Sequence, residues 1–330
     1  MNTTPYIIEA QHLQKKFGLE AGFFAKADRF VYAVNDVSFG IPYGKTYGLV
    51  GESGCGKTTT ARLLVRMYKA DGGSVIYTPR ISCTAESLAD VGSLSHRDLR
   101  AYREKIKYVF QDPSRSLNPR MNVFDILTAS YRWSPSWPGK KQAREEAAAI
   151  LEETGLDAAD LERRPSEFSG GQRQRISIAR GLIMKPDVLI CDEVVSALDV
   201  SVQGQILNML QDIRERRGLS FLFIAHDLRV SSWFCDVIGV MYRGVLVEEA
   251  PAFELYKDAR HPYTQLLFAG TQGKSAPHDG EVKSMLESVH GCPFAHRCSH
   301  CTEQCRTQLP PWKELNDGGE SYAHKVRCWL

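Results

Sequence analysis

The stretch Gly51-Glu52-Ser53-Gly54-Cys55-Gly56-Lys57-Thr58 decides how this chain reads. It fits the phosphate-loop pattern of Gly, four residues, then Gly-Lys-Ser/Thr. Before it, Thr46-Tyr47-Gly48-Leu49-Val50 is short and β-prone. After it, Thr59–Tyr68 has helical spacing in Ala61, Leu64, Val65 and Tyr68. The loop therefore lies between a strand and a helix start, where glycines can turn backbone N–H groups inward and the helix adds partial positive charge. Lys57 can then reach β/γ-phosphates, and the Thr58 hydroxyl can coordinate magnesium. A nucleoside triphosphate is the expected ligand.

Working outward, the 330 residues hold one large domain or a domain with an appendage; 43% are apolar and 24% charged, as in soluble globular proteins. A formal charge of +2 gives no electrostatic case for a nucleic-acid binder. Met1–Ala10 lacks a basic n-region and an apolar core, and no apolar run approaches the roughly 20 residues that span a bilayer. The expected location is the cytoplasm. Five of nine cysteines crowd into Cys292–Cys328, which in a reducing compartment suggests metal binding more than disulfides.

Along the chain, Ile7–Lys15 and Val31–Ile41 read as strands, with Leu19–Phe30 a loop between them and a turn at Pro42-Tyr43-Gly44. Phe17 is a candidate platform for an adenine ring, though by spacing alone an ordinary core aromatic. Asp71-Gly72-Gly73 turns into the short strand Ser74–Tyr77. Ile81–Ser95 is unpatterned and reads as an exposed insertion, Arg97–Lys105 as a charged helix, Ile106–Phe110 as a buried strand. Lys141–Thr154 is an amphipathic helix ended by Gly155, and Pro165–Gly171 opens the basic helix Gln172–Met184. The strand Val188–Cys191, helix Val202–Gln211 and strand Phe221–Ala225 follow, then a hairpin of Val237–Met241 and Val245–Glu248. This alternation predicts an α/β domain with a largely parallel sheet. Gly270–Gly280 reads as a linker to a small cysteine-bearing tail.

A phosphate loop needs a carboxylate on a neighbouring strand for hydrated magnesium, and Asp192 ends the apolar strand Val188–Cys191. Glu193, directly after it, can orient and deprotonate an attacking water. Ser169-Gly170-Gly171-Gln172 places paired glycines at a helix start, the geometry of a second phosphate site. One chain cannot easily use both on one nucleotide, so the second suits a nucleotide held by a partner.

These residues together resemble an ATP-binding cassette (ABC) transporter ATPase subunit over nearly the whole chain. Gly51–Thr58 matches Walker A, Gln111 the Q-loop, Ser169–Gln172 the signature motif, and Val188–Asp192 Walker B. Glu193 stands at the catalytic glutamate, Ser196-Ala197-Leu198-Asp199 at the D-loop, and His226 at the switch histidine. The resemblance implies a P-loop NTPase core with an antiparallel β subdomain and a helical signature subdomain, spanning 1–269, and a linker with a Cys-rich region at 270–330. It implies ATP held by Phe17, Gly51, Ser53, Gly54, Cys55, Gly56, Lys57, Thr58 and Thr59, and magnesium held by Thr58, Gln111 and Asp192. Catalytic roles fall to Glu193, His226, Lys57 and Gln111. Ser169, Gly170, Gly171 and Gln172 would face the ATP of a second cassette. Two departures stand out: Phe168 opens the signature where Leu is usual, and Val194-Val195 replaces a Pro-Thr-like pair. Cys55 lies where Ser is common and reads either as a small filler or, at a helix N-terminus, as an acidic thiol open to alkylation.

Gln111-Asp112-Pro113, Ser116-Leu117-Asn118-Pro119-Arg120, Asp199-Val200-Ser201-Val202-Gln203, His261-Pro262-Tyr263-Thr264 and Gly291-Cys292-Pro293-Phe294 are similar to oligopeptide and dipeptide importer ATPases. Members of that subfamily can carry a [4Fe-4S] cluster, here on Cys292, Cys298, Cys305 and Cys328, with Cys301 an alternative ligand. From the residues alone a cluster, a zinc site and unligated thiols all stay open. The resemblance further implies two transmembrane permease subunits, a sister ABC ATPase, an extracytoplasmic substrate-binding protein, no nucleic acid, and a place on the cytoplasmic face of the membrane. The competing readings are a soluble cassette acting on nucleic acid or ribosomes, and a redox-sensing regulatory cassette.

Overall fold

The computed structural model describes residues 5–19, 29–79, 89–271, 290–315 and 322–330. In chain order, β1 (Tyr6–Leu19), β2 (Arg29–Pro42) and β3 (Thr46–Val50) lead into α1 (Lys57–Leu64) and β4 (Gly72–Tyr77). Next come β5 (Ala89–Asp90), α2 (His96–Lys105), β6 (Ile106–Val109), α3 (Pro113–Ser116), α4 (Val123–Thr128), α5 (Lys140–Glu153) and α6 (Gly170–Leu182). After these run β7 (Val188–Asp192), α7 (Val200–Arg217), β8 (Ser220–Ala225), α8 (Leu228–Phe234), β9 (Val237–Tyr242) and β10 (Val245–Pro251). The chain closes with α9 (Ala252–Lys257), α10 (Pro262–Thr271), α11 (Glu303–Thr307), β11 (Lys313–Glu314) and β12 (Lys325–Val326). Among the described residues, no helix is long and apolar enough to cross a membrane.

The chain divides into two compact units. One comprises Met1–Pro42, Thr46–Ser93 and Phe223–Leu330; the other comprises Tyr43–Lys45 and Leu94–Leu222. In the first, β2, β1, β4 and β5 form an antiparallel sheet in that order, with Ala10 opposite both Phe39 and Val75. Ile7, Ile8, Ala10 and Leu13 of β1 are buried. The same unit carries the parallel pair β3 and β9, and β9 turns through Arg243-Gly244 into antiparallel β10. In the second unit β6 and β7 run parallel, Ile106 opposite Val188. Ala143, Ala147, Ile150 and Leu151 give α5 its buried stripe, at the helical spacing that marks an amphipathic face. At its end, Glu153 takes the Arg217 guanidinium, Nε at 3.0 Å.

Most elements stand where the sequence put them, with differences at their ends. The helix expected over Thr59–Tyr68 begins at Lys57 and stops at Leu64, because Arg66 takes φ 51° and reverses the chain. Of the expected exposed insertion, Ile81–Ser95, the described residues begin at 89: β5 pairs with β4, and the Ser95 hydroxyl caps α2 by accepting from Asp98 N–H. The expected linker lies outside the described residues beyond 271, up to which α10 continues. The loop expected between β1 and β2 likewise falls largely on residues 20–28, which are outside them.

The tail is anchored through Glu248 on β10, which has no solvent exposure. A buried carboxylate needs its oxygens satisfied, and Glu248 accepts from Arg260 N–H at 2.7 Å and His261 N–H at 3.1 Å. His324 Nε2 closes the set at 2.8 Å, just before β12 pairs with β10. His261 Nδ1 accepts the Tyr263 N–H at 3.1 Å, so its ring is needed neutral there. Burial pushes its pKa down to about 4, against 6.5 in the open. As pH falls through about 6.5 towards 4, the unfolded chain takes up a proton that the folded one refuses, and stability drops. His261→Asn keeps an acceptor that does not titrate. In thermal melts at pH 7.5 and pH 5, the wild type is expected to lose more melting temperature than this variant.

Candidate functional site

Every residue of β3 is buried, and the strand delivers Gly51–Thr58 to its carboxyl end. The loop holds its turns because Gly54 and Gly56 take φ 78° and 112°. At Gly56 a side chain is excluded twice over, since a Cβ would come within 2.2 Å of the Ala33 carbonyl oxygen. Lys57 is only 4% exposed. Its ammonium donates to the carbonyl oxygens of Gly51 at 2.7 Å and Glu52 at 2.9 Å. Ser53 and Gly54 are exposed, while Thr58 and Thr59 are half-buried in the first turn of α1.

Phe17 is half-buried at the end of β1, edge-on to Tyr68 with centroids 5.3 Å apart. His226 is exposed directly after β8, and the neighbouring Asp227 caps α8 by accepting from Arg229 N–H. Cys55 differs from expectation. It is 4% exposed, and burial raises its thiol, outweighing the opposing effect of Lys57. The acidic, accessible thiol expected from its place before a helix is not formed, because the apolar surroundings oppose the charged form more than the ammonium favours it.

In the other unit, the apolar run of β7 ends at Asp192, itself 4% exposed. The Tyr108 hydroxyl on β6 donates to Asp192 Oδ2 at 2.5 Å. Glu193 follows at φ 50°, a left-handed conformation uncommon for this residue and often found at functional positions. Gln111 Nε2 donates to Glu193 Oε2 at 2.7 Å, joining two of the residues the sequence singled out. The backbone oxygen of Glu193 accepts from both N–H and hydroxyl of Ser196, which closes the following turn.

Ser169 caps α6 in a reciprocal box: its Oγ accepts from Gln172 N–H, and Gln172 Oε1 accepts from Ser169 N–H at 2.9 Å. Ser169 and Gly170 are exposed at this helix start. Gly171 is needed for close packing, as a Cβ would meet Val202 Cγ1 at 2.7 Å. The two departures from the family pattern are both explained by burial. Phe168 is 4% exposed beneath the Arg163 guanidinium, 4.4 Å from its centroid, and Val194 and Val195 are buried.

In the tail, Cys292, Cys298, Cys305 and Cys328 line one pocket of about 70 Å³ together with His261, Phe294 and Trp329; Cys301 does not line it. Burial pushes the Cys292 thiol up to about 12, with further upward pressure from Cys305, Cys328 and Cys298. Among the described residues, no group of three or more His, Cys, Asp or Glu side chains stands close enough to hold a metal ion. The four candidate cysteines thus share a pocket without forming a ready ion site. Sequence reasoning missed three partners: Tyr108, Tyr263 and Arg297. Their only signal was membership of the stretches running into Gln111-Asp112, His261–Thr264 and Cys298.

A family profile described as ABC transporter matches residues 34–196, and one described as oligopeptide/dipeptide transporter, C-terminal region, matches 247–305. The chain is 39% identical, over 96% of its length and 89% of the relative's, to a probable peptide ABC transporter ATP-binding protein of Sinorhizobium fredii. It is 41% identical to the dipeptide transport ATP-binding protein DppF of Escherichia coli, over 95% of this chain and 92% of that one. Among solved structures, an ATP-binding cassette in a post-hydrolysis state, bound to ADP and Pi, shares the fold with a TM-score of 0.63 at 23% identity, over 74% of this chain and 98% of the other.

The burial of Cys55 has a direct readout. With iodoacetamide at pH 8 and no nucleotide, peptide mass spectrometry is expected to find the half-exposed Cys301 modified well before Cys55. Raising the pH is expected to speed Cys55 labelling, since a raised thiol pKa leaves little thiolate at neutrality.

Proposed function

We propose a function for a chain that belongs to the ABC transporter family: it hydrolyses ATP to power uptake of di- or oligopeptides, or related small solutes, through partner permease subunits. The observation that carries this is the pairing of a complete phosphate loop with the oligopeptide/dipeptide transporter C-terminal region in one chain. Intact Glu193 and His226 favour a working ATPase over an idle sensing module, and a charge of +2 gives no support to a nucleic-acid role.

In this reading Lys57 leaves its loop carbonyls for the β/γ-phosphates, and the backbone N–H groups of Gly54 to Thr58 cradle them. Thr58, Asp192 and Gln111 would hold magnesium, which when bound would supply charge neutralisation for the phosphates. Glu193 takes the proton of the attacking water, and the strained backbone at this residue fixes its aim. His226 supports the γ-phosphate, and Phe17 stacks on adenine. Ser169, Gly170, Gly171 and Gln172 face the ATP of a second, sister cassette. Chemistry here is mostly positioning and charge neutralisation.

The assembly we infer has two transmembrane permeases, the two cassettes at the cytoplasmic face, and an extracytoplasmic binding protein that chooses the cargo. Residues 1–269 form the ATP-binding domain, and 270–330 the linker and tail. For the tail, the donor set suits a [4Fe-4S] cluster in type and number, with four thiols lining one pocket. Such a group would bind the tail segments together. Anaerobic purification with iron, acid-labile sulfide and visible absorbance measured per chain tests this; a colourless, zinc-loaded or metal-free protein would refute it.

The ATPase assignment separates binding from turnover. Glu193→Gln is expected to bind Mg-ATP normally while turnover falls roughly a hundredfold or more, and Lys57→Ala is expected to lose binding. Mild-detergent purification from native membranes is expected to bring down two multi-span permeases and a second cassette. Recovery of ribosomal or other soluble partners alone would overturn the importer reading.

A further inference from the structure

Glu52, the second residue of the phosphate loop, is gripped at both its ends by residues from beyond β10. Its backbone N–H donates to the Tyr263 hydroxyl at 2.9 Å. Its carboxylate takes Arg297 Nη1 on both oxygens, each at 3.0 Å. This pair is not a loose surface bridge, since the Arg297 side chain is 10% exposed and that of Glu52 28%. Arg297 lies against aromatic rings, its guanidinium 6.0 Å from the Tyr242 centroid and 5.7 Å from that of Phe294. Tyr263 is fully buried, with its ring 4.5 Å from Tyr242. Among the described residues the buried Arg297 Nε has no hydrogen-bond partner, so the contact with Glu52 must offset the cost of drawing this charge out of water.

The loop side of the same residue holds the lysine. The Glu52 carbonyl oxygen, with that of Gly51, seats the Lys57 ammonium. One residue therefore links a tail arginine to the phosphate-reaching cation through a single peptide unit. The hydrogen bonds of Arg297 and Tyr263 to the loop are made at Glu52, while Ser53 and Gly54 are exposed.

We propose that the chain beyond β10 is a positioning element for the nucleotide site, in which Tyr263 on α10 and Arg297 in the tail fix the Gly51–Glu52 backbone so that Lys57 is held ready for the phosphates. The inference rests on the reading of Gly51–Thr58 as an ATP site. A glycine-rich loop left to itself samples many conformations, and a ligand that must order it binds more weakly. The tail supplies that order beforehand. Because Arg297 is next to Cys298, the state of the cysteine pocket is also placed within one residue of the clamp.

The test is equilibrium binding of a fluorescent ATP analogue to the full chain, with ATPase kinetics and thermal melting on the same preparations. Arg297→Ala is expected to weaken binding about tenfold, Tyr263→Phe and Glu52→Gln about threefold, with KM rising and kcat changing less than twofold. The exchanged pair, Glu52→Arg with Arg297→Glu, is expected to recover binding relative to either single change, which general loosening of the tail would not produce. Variants that melt lower yet bind nucleotide with wild-type affinity would overturn the proposal. Should Arg297→Ala fail to fold, Glu52→Gln carries the same criterion from the loop side. A wild-type chain that binds no nucleotide would instead sink the ATP-site reading itself.

Discussion

Lys57 carries a positive charge at a position with almost no access to water. An ammonium can sit there only if oxygens replace the water it has lost. Two carbonyls of its own loop do so, and they can point at it only because Gly54 and Gly56 turn the chain through conformations that other residues resist. Around this one constraint the first unit is arranged. Buried β3 brings the loop to its place, paired in parallel with β9, and the tail beyond β10 holds Glu52 from the other side.

The second unit solves a related problem with acids. A carboxylate at the end of a buried strand is costly unless its oxygens are used, and Asp192 takes the Tyr108 hydroxyl. Glu193 is turned out of the strand by its left-handed backbone and meets Gln111. In the proposed reading of Glu193 as the base, this left-handed backbone sets the angle at which its carboxylate is presented. The capping box at Ser169 leaves a glycine-bearing helix start exposed while satisfying its own orphan donors. Both units thus place the singled-out side chains at the ends of regular elements, with Lys57 and Asp192 buried and held by hydrogen bonds.

The cysteine tail joins these themes. Four of its thiols share a small pocket, where burial raises Cys292, Cys298 and Cys328, while Glu248 and His324 tie its last strand to β10. A segment that would be marginal alone becomes part of the unit that holds the phosphate loop. Cys55 shows the same effect in reverse: a thiol placed for activation is silenced by the packing around it.

The amino-acid sequence by itself determined the phosphate loop, the alternation of strands and helices around it, the paired acids at Asp192-Glu193 and the paired glycines at the helix start after Ser169. Each of these depends on neighbours within a few residues: glycine spacing, an apolar run that ends in acids, two glycines opening a basic helix. Only the tertiary structure decided that Cys55 is buried, that Tyr108 serves Asp192, and that Arg297 and Tyr263 hold Glu52. Arg297 is 245 residues from its partner, and no local pattern carries information over that distance. Burial and long-range pairing arise when separate segments exclude water from a common space. That exclusion sets the cost of each charge and each thiol, and it exists only once the chain has folded.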